Sequence, residues 1–500
     1  MKITVEGDLN PYYIETIAMT FFPGEKFRDE EDPRLTARVS LFDRDDGSFS
    51  AVDLTDKDGG TASGEDFEPW RADAHAESAD RTRKLSSGRA FFKAVVALTG
   101  YRPPWGIMTG VRPSKLATEF LTSGLSEEAS AEEIVNSYLA IPEKVRLAVG
   151  VAGTERELIK PGDSGKCSVY IAIPFCPTRC DYCSFVSYTS PRLLALIPEY
   201  LKRLRDDIAF TAELIRGLGL EVSTVYIGGG TPTVLDPVQL DSLLASLAPL
   251  TENCSEYTLE SGRPDTITAE KMRIASSHGV GRVSVNPQTL NDRVLEAIGR
   301  KHTAARFFEA YGIARNAGIG VVNVDLIAGL PGDDPDSFSD TCEQIVKMRP
   351  ENLTVHTFTV KKSAKFKEEG AYDREGRDAE RSVSISSGYA SSAGYRPYYM
   401  YRQKNTVGNL ENVGYSLPGY ECMYNVYMME EIHTVFACGA SAVTKLVSLP
   451  GTDGYRDIKR IFESKYPYEY LRESEDGTLA EKRKKLTSDI VSFYREHNMV

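Results

Sequence analysis

From residue 168 onward, apolar residues come in short runs separated by stretches of helical spacing. The runs are 168–173, 223–227, 256–259, 282–285, 320–327 and 352–359. Between them, helical periodicity covers 198–218, 237–247, 269–277, 292–298 with 304–317, and 335–348. A strand followed by a helix, repeated about six times, predicts a parallel sheet with helices outside it. Right-handed crossovers would curl this into a partial (β/α)6 barrel, an α/β fold.

The flanks read differently. Residues 2–5 and 34–42 alternate like strands, and 48–54 could pair with the latter. The stretch 53–80 is acidic and glycine-rich and is expected to be a loop. Helical patterns follow at 88–98, 113–121 and 131–139, with a turn-rich segment over 103–113. Beyond residue 375 the repetition ends. A helix over 377–392, an aromatic-rich strand over 395–404, a small-residue turn at 439–443 and terminal helices over 457–466 and 479–496 are expected. The implied organisation is an α+β accessory domain (1–165), the barrel (166–375) and a mixed C-terminal, substrate-covering domain (376–500).

Composition narrows the partners. The chain has 500 residues and a net charge of −13, which disfavours nucleic acid. No apolar run approaches the roughly 20 residues of a membrane span. The first residues lack the apolar core of a signal peptide, so a cytoplasmic location is expected. Of eight cysteines, Cys176, Cys180 and Cys183 cluster, which in a reducing compartment suggests metal. Cys167, Cys254, Cys342, Cys422 and Cys438 are scattered and read as small apolar fillers.

The triplet Cys176-x3-Cys180-x2-Cys183 directly follows the first barrel strand. Thiolates are natural ligands of iron–sulfur iron. Three ligands leave one iron of a cubane open, able to chelate the amino and carboxylate groups of a methionine. A structural zinc site or a plain loop are the alternatives, but zinc usually takes four protein ligands. The run Gly228-Gly229-Gly230-Thr231-Pro232-Thr233 follows the second strand and lets backbone approach a ligand. It lacks the lysine of a phosphate-binding P-loop. Glu260, Gln288, Arg300 and Asp325 lie near or beyond later strand ends, where barrel active sites gather.

The stretch 170–185, with Tyr170, Cys176, Cys180, Tyr182 and Cys183, resembles the cluster motif of radical S-adenosylmethionine (SAM) proteins. More narrowly, it resembles the oxygen-independent coproporphyrinogen III oxidase family. That family has an aromatic residue before the third cysteine, as Tyr182 is, and a tyrosine six residues before the first, as Tyr170 is. It usually has a histidine where this chain has Ala172, a departure that suits the HemZ branch. Residues 229–233 resemble the family's GGTPT element, and 399–405 with 408–414 resemble the C-terminal signature of that branch. The resemblance covers about residues 166–445.

It implies a [4Fe–4S] cluster on Cys176, Cys180 and Cys183, which form the catalytic set with Tyr170. It implies that Tyr170, Gly229 and Glu260 hold the cluster-bound SAM. Gly230, Thr231, Gln288, Arg300 and Asp325 would line a second SAM site, with the backbones of Tyr182 and Thr359. Val443, in the late turn, is a further position. The implied reaction is oxidative decarboxylation of coproporphyrinogen III to protoporphyrinogen IX without oxygen, by a 5′-deoxyadenosyl radical, in haem and porphyrin biosynthesis. An electron donor such as flavodoxin or ferredoxin is implied. A haem-binding chaperone and a haem-modifying radical SAM methyltransferase are the rivals; His302, His356 and His433 are the axial candidates for haem. Two basic clusters, 360–367 and the aromatic-interleaved 395–404, would suit a flat, polyanionic tetrapyrrole if they face the barrel mouth.

Overall fold

A computed structural model describes residues 1–27, 33–70, 76–183, 187–359, 376–403, 406–451 and 455–499. The chain forms two compact units. One comprises Met1–Gly153, Asp373–Glu380 and Met400–Glu411; the other comprises Thr154–Tyr372, Arg381–Tyr399 and Asn412–Val500.

The first unit is built on a four-stranded sheet of β1 (Lys2–Glu6), β2 (Leu35–Arg44), β3 (Gly47–Asp56) and β4 (Thr61–Pro69), in that order. β1 runs parallel to β2, and the others pair as antiparallel hairpins. Ile14, Ile17, Val39, Val52, Phe91 and Val95 are among its fully buried core residues. The expected loop over 53–80 is corrected here: it holds the end of β3, all of β4 and the start of helix Ala76–Thr99. β4 was concealed because Glu65 faces outward while Asp66 and Glu68, on the inner face, pair with the buried Arg89, so both faces read as acidic. Helices Pro11–Phe21 and Pro142–Leu158 are further elements that the pattern did not announce.

The turn-rich segment 103–113 has a packing role in this unit. Trp105 is 1 % exposed and donates from Nε1 to Glu411 Oε2 at 2.8 Å. Lys144 Nζ reaches Glu411 Oε1 at 2.6 Å, with both side chains buried. Burial works against the Glu411 carboxylate, but Lys144, with the Trp105 and backbone hydrogen bonds, outweighs it and holds its pKa below the usual range. Breaking such a pair leaves a buried charge uncompensated.

The second unit is built on an eleven-stranded sheet. Its barrel strands are β5 (Lys166–Ile173), β6 (Glu221–Gly229), β7 (Glu256–Leu259), β8 (Arg282–Ser284), β9 (Val321–Ala328) and β10 (Asn352–Thr357). These six lie in sequence order and are all parallel. Helices Ile197–Gly217, Pro237–Ser246, Ala269–Ser277, Ala304–Asn316 and Pro335–Met348 supply the crossovers. The expected strand–helix repeat is therefore present.

Residues 376–500 add five strands to this sheet: β11 (Arg396–Arg402), β12 (Glu411–Ser416), β13 (Thr434–Cys438), β14 (Val443–Val447) and β15 (Ile458–Phe462). β12 and then β11 extend the β10 edge; β13, β14 and β15 extend the β5 edge. β13 is parallel to β5, with Ala437 opposite Tyr170. The helix expected over 457–466 is corrected to β15. Ile458 and Ile461 have helical spacing, but antiparallel pairing with β14 over Val443–Val447 overrides it. Among the described residues, no helix is long and apolar enough to cross a membrane.

The buried pair in the first unit yields a stability prediction. Lys144→Met should cost about 3–5 kcal/mol, read by urea denaturation at neutral pH.

Candidate cluster and cofactor site

The three cysteines leave the C-terminal end of β5 on a loop that is closed on itself. Cys176 N–H donates to Tyr188 O at 3.1 Å, and Tyr188 N–H returns to Pro174 O at 2.8 Å. Cys183 N–H donates to Cys180 O at 3.1 Å. The glycine-rich loop after β6 lies directly against it: Gly230 N–H reaches Ile173 O and Thr231 N–H reaches Phe175 O, both at 2.8 Å. A Cβ at residue 230 would sit 2.5 Å from Phe175 O and 3.0 Å from Cys176 Sγ, so only glycine allows this approach. Thr231 Oγ1 is 3.2 Å from Cys176 Sγ. Burial pushes the Cys176 thiol up.

The neighbouring strand ends carry a polar wall. Glu260 N–H bonds to Ile227 O at 2.9 Å, continuing the β6–β7 pairing. Burial, aided by the Asp325 carboxylate, pushes the Glu260 acid up to about 8. Asp325 is itself fixed, accepting from Asn286 Nδ2 at 2.6 Å and Asn323 Nδ2 at 2.7 Å. His356 Nε2 stands 3.9 Å from Asp325 Oδ2. On the other side, Tyr170 stacks near Tyr226, its register partner on β6, and Tyr424 completes the group at 4.7 Å from Tyr226. Burial pushes all three phenols well above their usual range.

Gln288 and Arg300 complete the wall. Gln288 has φ +71°, a left-handed backbone that non-glycine residues adopt at a cost. It is retained by two backbone bonds, to Asp325 O at 3.1 Å and from Ile327 N–H at 2.9 Å. Its Oε1 is buried and has no partner. Arg300 is 7 % exposed and donates from Nε to Tyr182 Oη at 2.9 Å. His302 lies nearby, with neither ring nitrogen bonded; burial and the Arg300 charge push its pKa down to about 3.

The other expected residues are placed by later strands. Thr359 lies just past β10, its Oγ1 3.4 Å from Thr357 O. Val443 begins β14, opposite Phe462. The basic cluster 360–367 falls outside the described residues. In the second basic cluster, the two described arginines are engaged with protein partners, and Lys404 lies outside the described residues. Arg402 is 5 % exposed and donates to Met108 O at 2.5 Å, while Arg396 pairs with Glu157 at 3.2 Å. Tyr398 and Tyr399 are buried.

Several residues here escaped the sequence reading. Tyr226 shares strand parity and register with Tyr170, and Asn323 shares parity with Asp325, so both were recoverable from period-2 alternation. Arg263 and Asp265 stood in the turn after Glu260 without a pattern to single them out. Tyr424 comes from helix Met423–Met429, far along the chain.

The donor set can be tested against the group that it suggests. Among the described residues, no three His, Cys, Asp or Glu side chains converge closely enough to hold one metal ion. A zinc ion needs such convergence, with every sulfur at about 2.3 Å. A cubane takes each thiolate on a different iron, so three cysteines on one loop suit it without meeting at a single ion. Hydrogen-bond donors to two of the sulfurs, a backbone cradle at residue 230 and the unpartnered Gln288 oxygen also fit a cluster with a polar cofactor beside it.

Comparison with known proteins agrees. Residues 170–345 match the radical SAM superfamily, which uses a [4Fe–4S] cluster and SAM. Over 366 residues the chain is 37 % identical to the oxygen-independent coproporphyrinogen-III oxidase-like protein HemZ of Bacillus subtilis, covering 71 % of this chain and 73 % of that one. The chain thus belongs to the HemZ-like family of radical SAM proteins. It is also 32 % identical to the heme chaperone HemW of the same organism, over 40 % of this chain and 52 % of that one. The coproporphyrinogen III oxidase HemN of Escherichia coli has the same fold, with a TM-score of 0.50 and 19 % identity over 65 % of this chain and 72 % of that one.

The site geometry makes two predictions. Gly230→Ala should displace the cysteine loop and lower cluster occupancy, measured as iron and sulfide per chain after anaerobic reconstitution. The second concerns pH. Glu260 titrates near 8 in the folded chain but near the ordinary 4.5 when unfolded. Its raised pKa therefore subtracts stability progressively from about pH 4.5 upward, and fully above about 8. Glu260→Gln should remove this part of the slope, read from urea midpoints of the cofactor-free protein across that range.

Proposed function

We propose that this chain carries out the oxygen-independent oxidative decarboxylation of coproporphyrinogen III to protoporphyrinogen IX in porphyrin biosynthesis. The observation that carries this reading is the meeting of the three-cysteine loop, the glycine loop and the strand-end carboxylates at one end of one parallel sheet. The 37 % identity to a coproporphyrinogen-III oxidase-like protein over 71 % of the chain supports the substrate class.

Cys176, Cys180 and Cys183 would hold the cluster, and Tyr170, Gly229 and Glu260 the SAM bound to it. Gly230, Thr231, Gln288, Arg300, Asp325, Thr359 and the Tyr182 backbone would line a second SAM, with Val443 beyond them. When bound, the cluster supplies the electron that splits SAM and so provides the radical that takes a hydrogen atom from substrate. The chain's own residues bind, orient and exclude water. Phe175 and Tyr200, both 0 % exposed, meet edge-on at 5.1 Å and close the space behind the cysteine loop. Glu260 is protonated near neutral pH in the cofactor-free site, so it can donate as well as accept a hydrogen bond. Arg300, fixed by Tyr182, presents a cation suited to a carboxylate. Each of two substrate propionates loses a hydrogen atom to the radical, carbon dioxide, and one further electron to an external one-electron acceptor, leaving a vinyl group. Residues 376–500 would cover the substrate, 1–165 would be an accessory domain, and flavodoxin or ferredoxin would supply electrons.

The second reading is a haem chaperone, favoured by similarity to proteins of that name. Of the three histidines considered for haem, His302 and His433 are 4 % and 0 % exposed. His356, with a side chain 31 % exposed, is the accessible one.

Reconstituted protein with SAM, a reductant and coproporphyrinogen III under anaerobic conditions distinguishes these readings. Substrate-dependent 5′-deoxyadenosine with loss of two carboxyl groups is expected. An unchanged tetrapyrrole rejects the oxidase reading. Stable haem binding would then support the chaperone, and S-adenosylhomocysteine with altered haem a methyltransferase.

A further inference from the structure

Arg263 follows β7 in the turn that leads to helix Ala269–Ser277. It is 4 % exposed. The short helical turn Pro264–Thr266 pins its backbone, with Thr266 N–H and Oγ1–H both donating to Arg263 O, at 3.0 and 2.8 Å. One edge of the guanidinium is taken by Asp265: Nε donates to Oδ1 at 3.2 Å and Nη2 to Oδ2 at 2.8 Å. That fork-to-fork pairing fixes the plane of the group. The remaining nitrogen, Nη1, is thereby aimed at the cysteine loop. It lies 3.2 Å from Thr178 O and 3.4 Å from Cys180 Sγ.

The cysteines are thus treated unequally. Cys176 receives neutral hydrogen-bond partners, the Thr231 hydroxyl at 3.2 Å and the Ser187 side chain, and feels the Arg263 charge only without a hydrogen bond. Cys180 receives a cation, buried and immobilised. The Arg300 charge is also close enough to Cys180 and Asp265 to interact with both. Reduction of an iron–sulfur cluster adds one negative charge, part of which resides on its sulfurs. Charge and hydrogen bonds at those sulfurs therefore set the potential.

We propose that Arg263 raises the reduction potential of the cluster through its hydrogen bond to Cys180, and that Asp265 moderates this effect by neutralising the far edge of the guanidinium. Arg263 is a positioning residue: it acts on the cluster through a ligand and touches no substrate. The inference rests on Cys176, Cys180 and Cys183 holding the cluster. It does not depend on the identity of the substrate.

The test is an anaerobic potentiometric titration of the reconstituted full chain without SAM. One-electron reduction is followed by electron paramagnetic resonance, and iron and sulfide are measured in each sample. Arg263→Gln should shift the midpoint to a more negative potential, and Arg263→Lys should recover part of the shift. Asp265→Asn keeps both Arg263 and Cys180 and should move the midpoint the opposite way. An unmoved midpoint in Arg263→Gln at full cluster occupancy overturns the proposal. If that variant holds no cluster, Asp265→Asn decides: an upward shift supports the proposal, and an unmoved or lowered midpoint overturns it. A wild-type chain that takes up no iron and sulfide overturns both this inference and the site on which it rests.

Discussion

The hydrogen bonds from Gly230 N–H to Ile173 O and from Thr231 N–H to Phe175 O bring two loops within van der Waals distance. They extend the parallel pairing of β5 and β6 beyond the last residues of both strands. Because no side chain stands at residue 230, the glycine loop can touch the carbonyl before Cys176 and the sulfur of Cys176 itself. The position of the first thiol is therefore set by sheet register rather than by the loop's own preferences. Tyr170 and Tyr226 are placed by that same register.

The site also concentrates polar groups where water is scarce, and it handles them in three ways. Asp325 is held by two amides. Arg300 donates to the Tyr182 hydroxyl and Arg263 to the Asp265 carboxylate. Glu260 receives one backbone hydrogen bond, from Gly229, which burial and the Asp325 charge outweigh, so its acid is raised instead. Gln288 combines a left-handed backbone with an unpartnered oxygen. These are the local costs that a ligand-binding site retains because the surrounding strands over-determine its backbone.

The barrel was legible because each strand–helix unit repeats one signature: a short apolar run, then a longer stretch of 3.6 periodicity. Chemistry at the strand ends was legible for the same reason, since the ends could be located. What lay outside the repeat was harder. β12 is buried at every residue, so its sequence carries no alternation to read. β15 has two isoleucines at helical spacing and becomes a strand only by pairing with β14. Arg263 was opaque because its meaning depends on Cys180, 83 residues away, and local patterns do not record such a contact.

The placement of β13 beside β5 bears on how the chain is made. β5 is flanked by β6, synthesised soon after it, and by β13, whose His433 end reaches Ser168 across 265 residues. At about 5–20 residues per second, translation leaves one side of β5 without its partner for roughly 13–53 s. An apolar parallel strand with an open flank is a template for wrong pairings. The nascent barrel thus passes through a period in which the strand that leads to the thiols is an open edge, and completion of the C-terminal third ends that period.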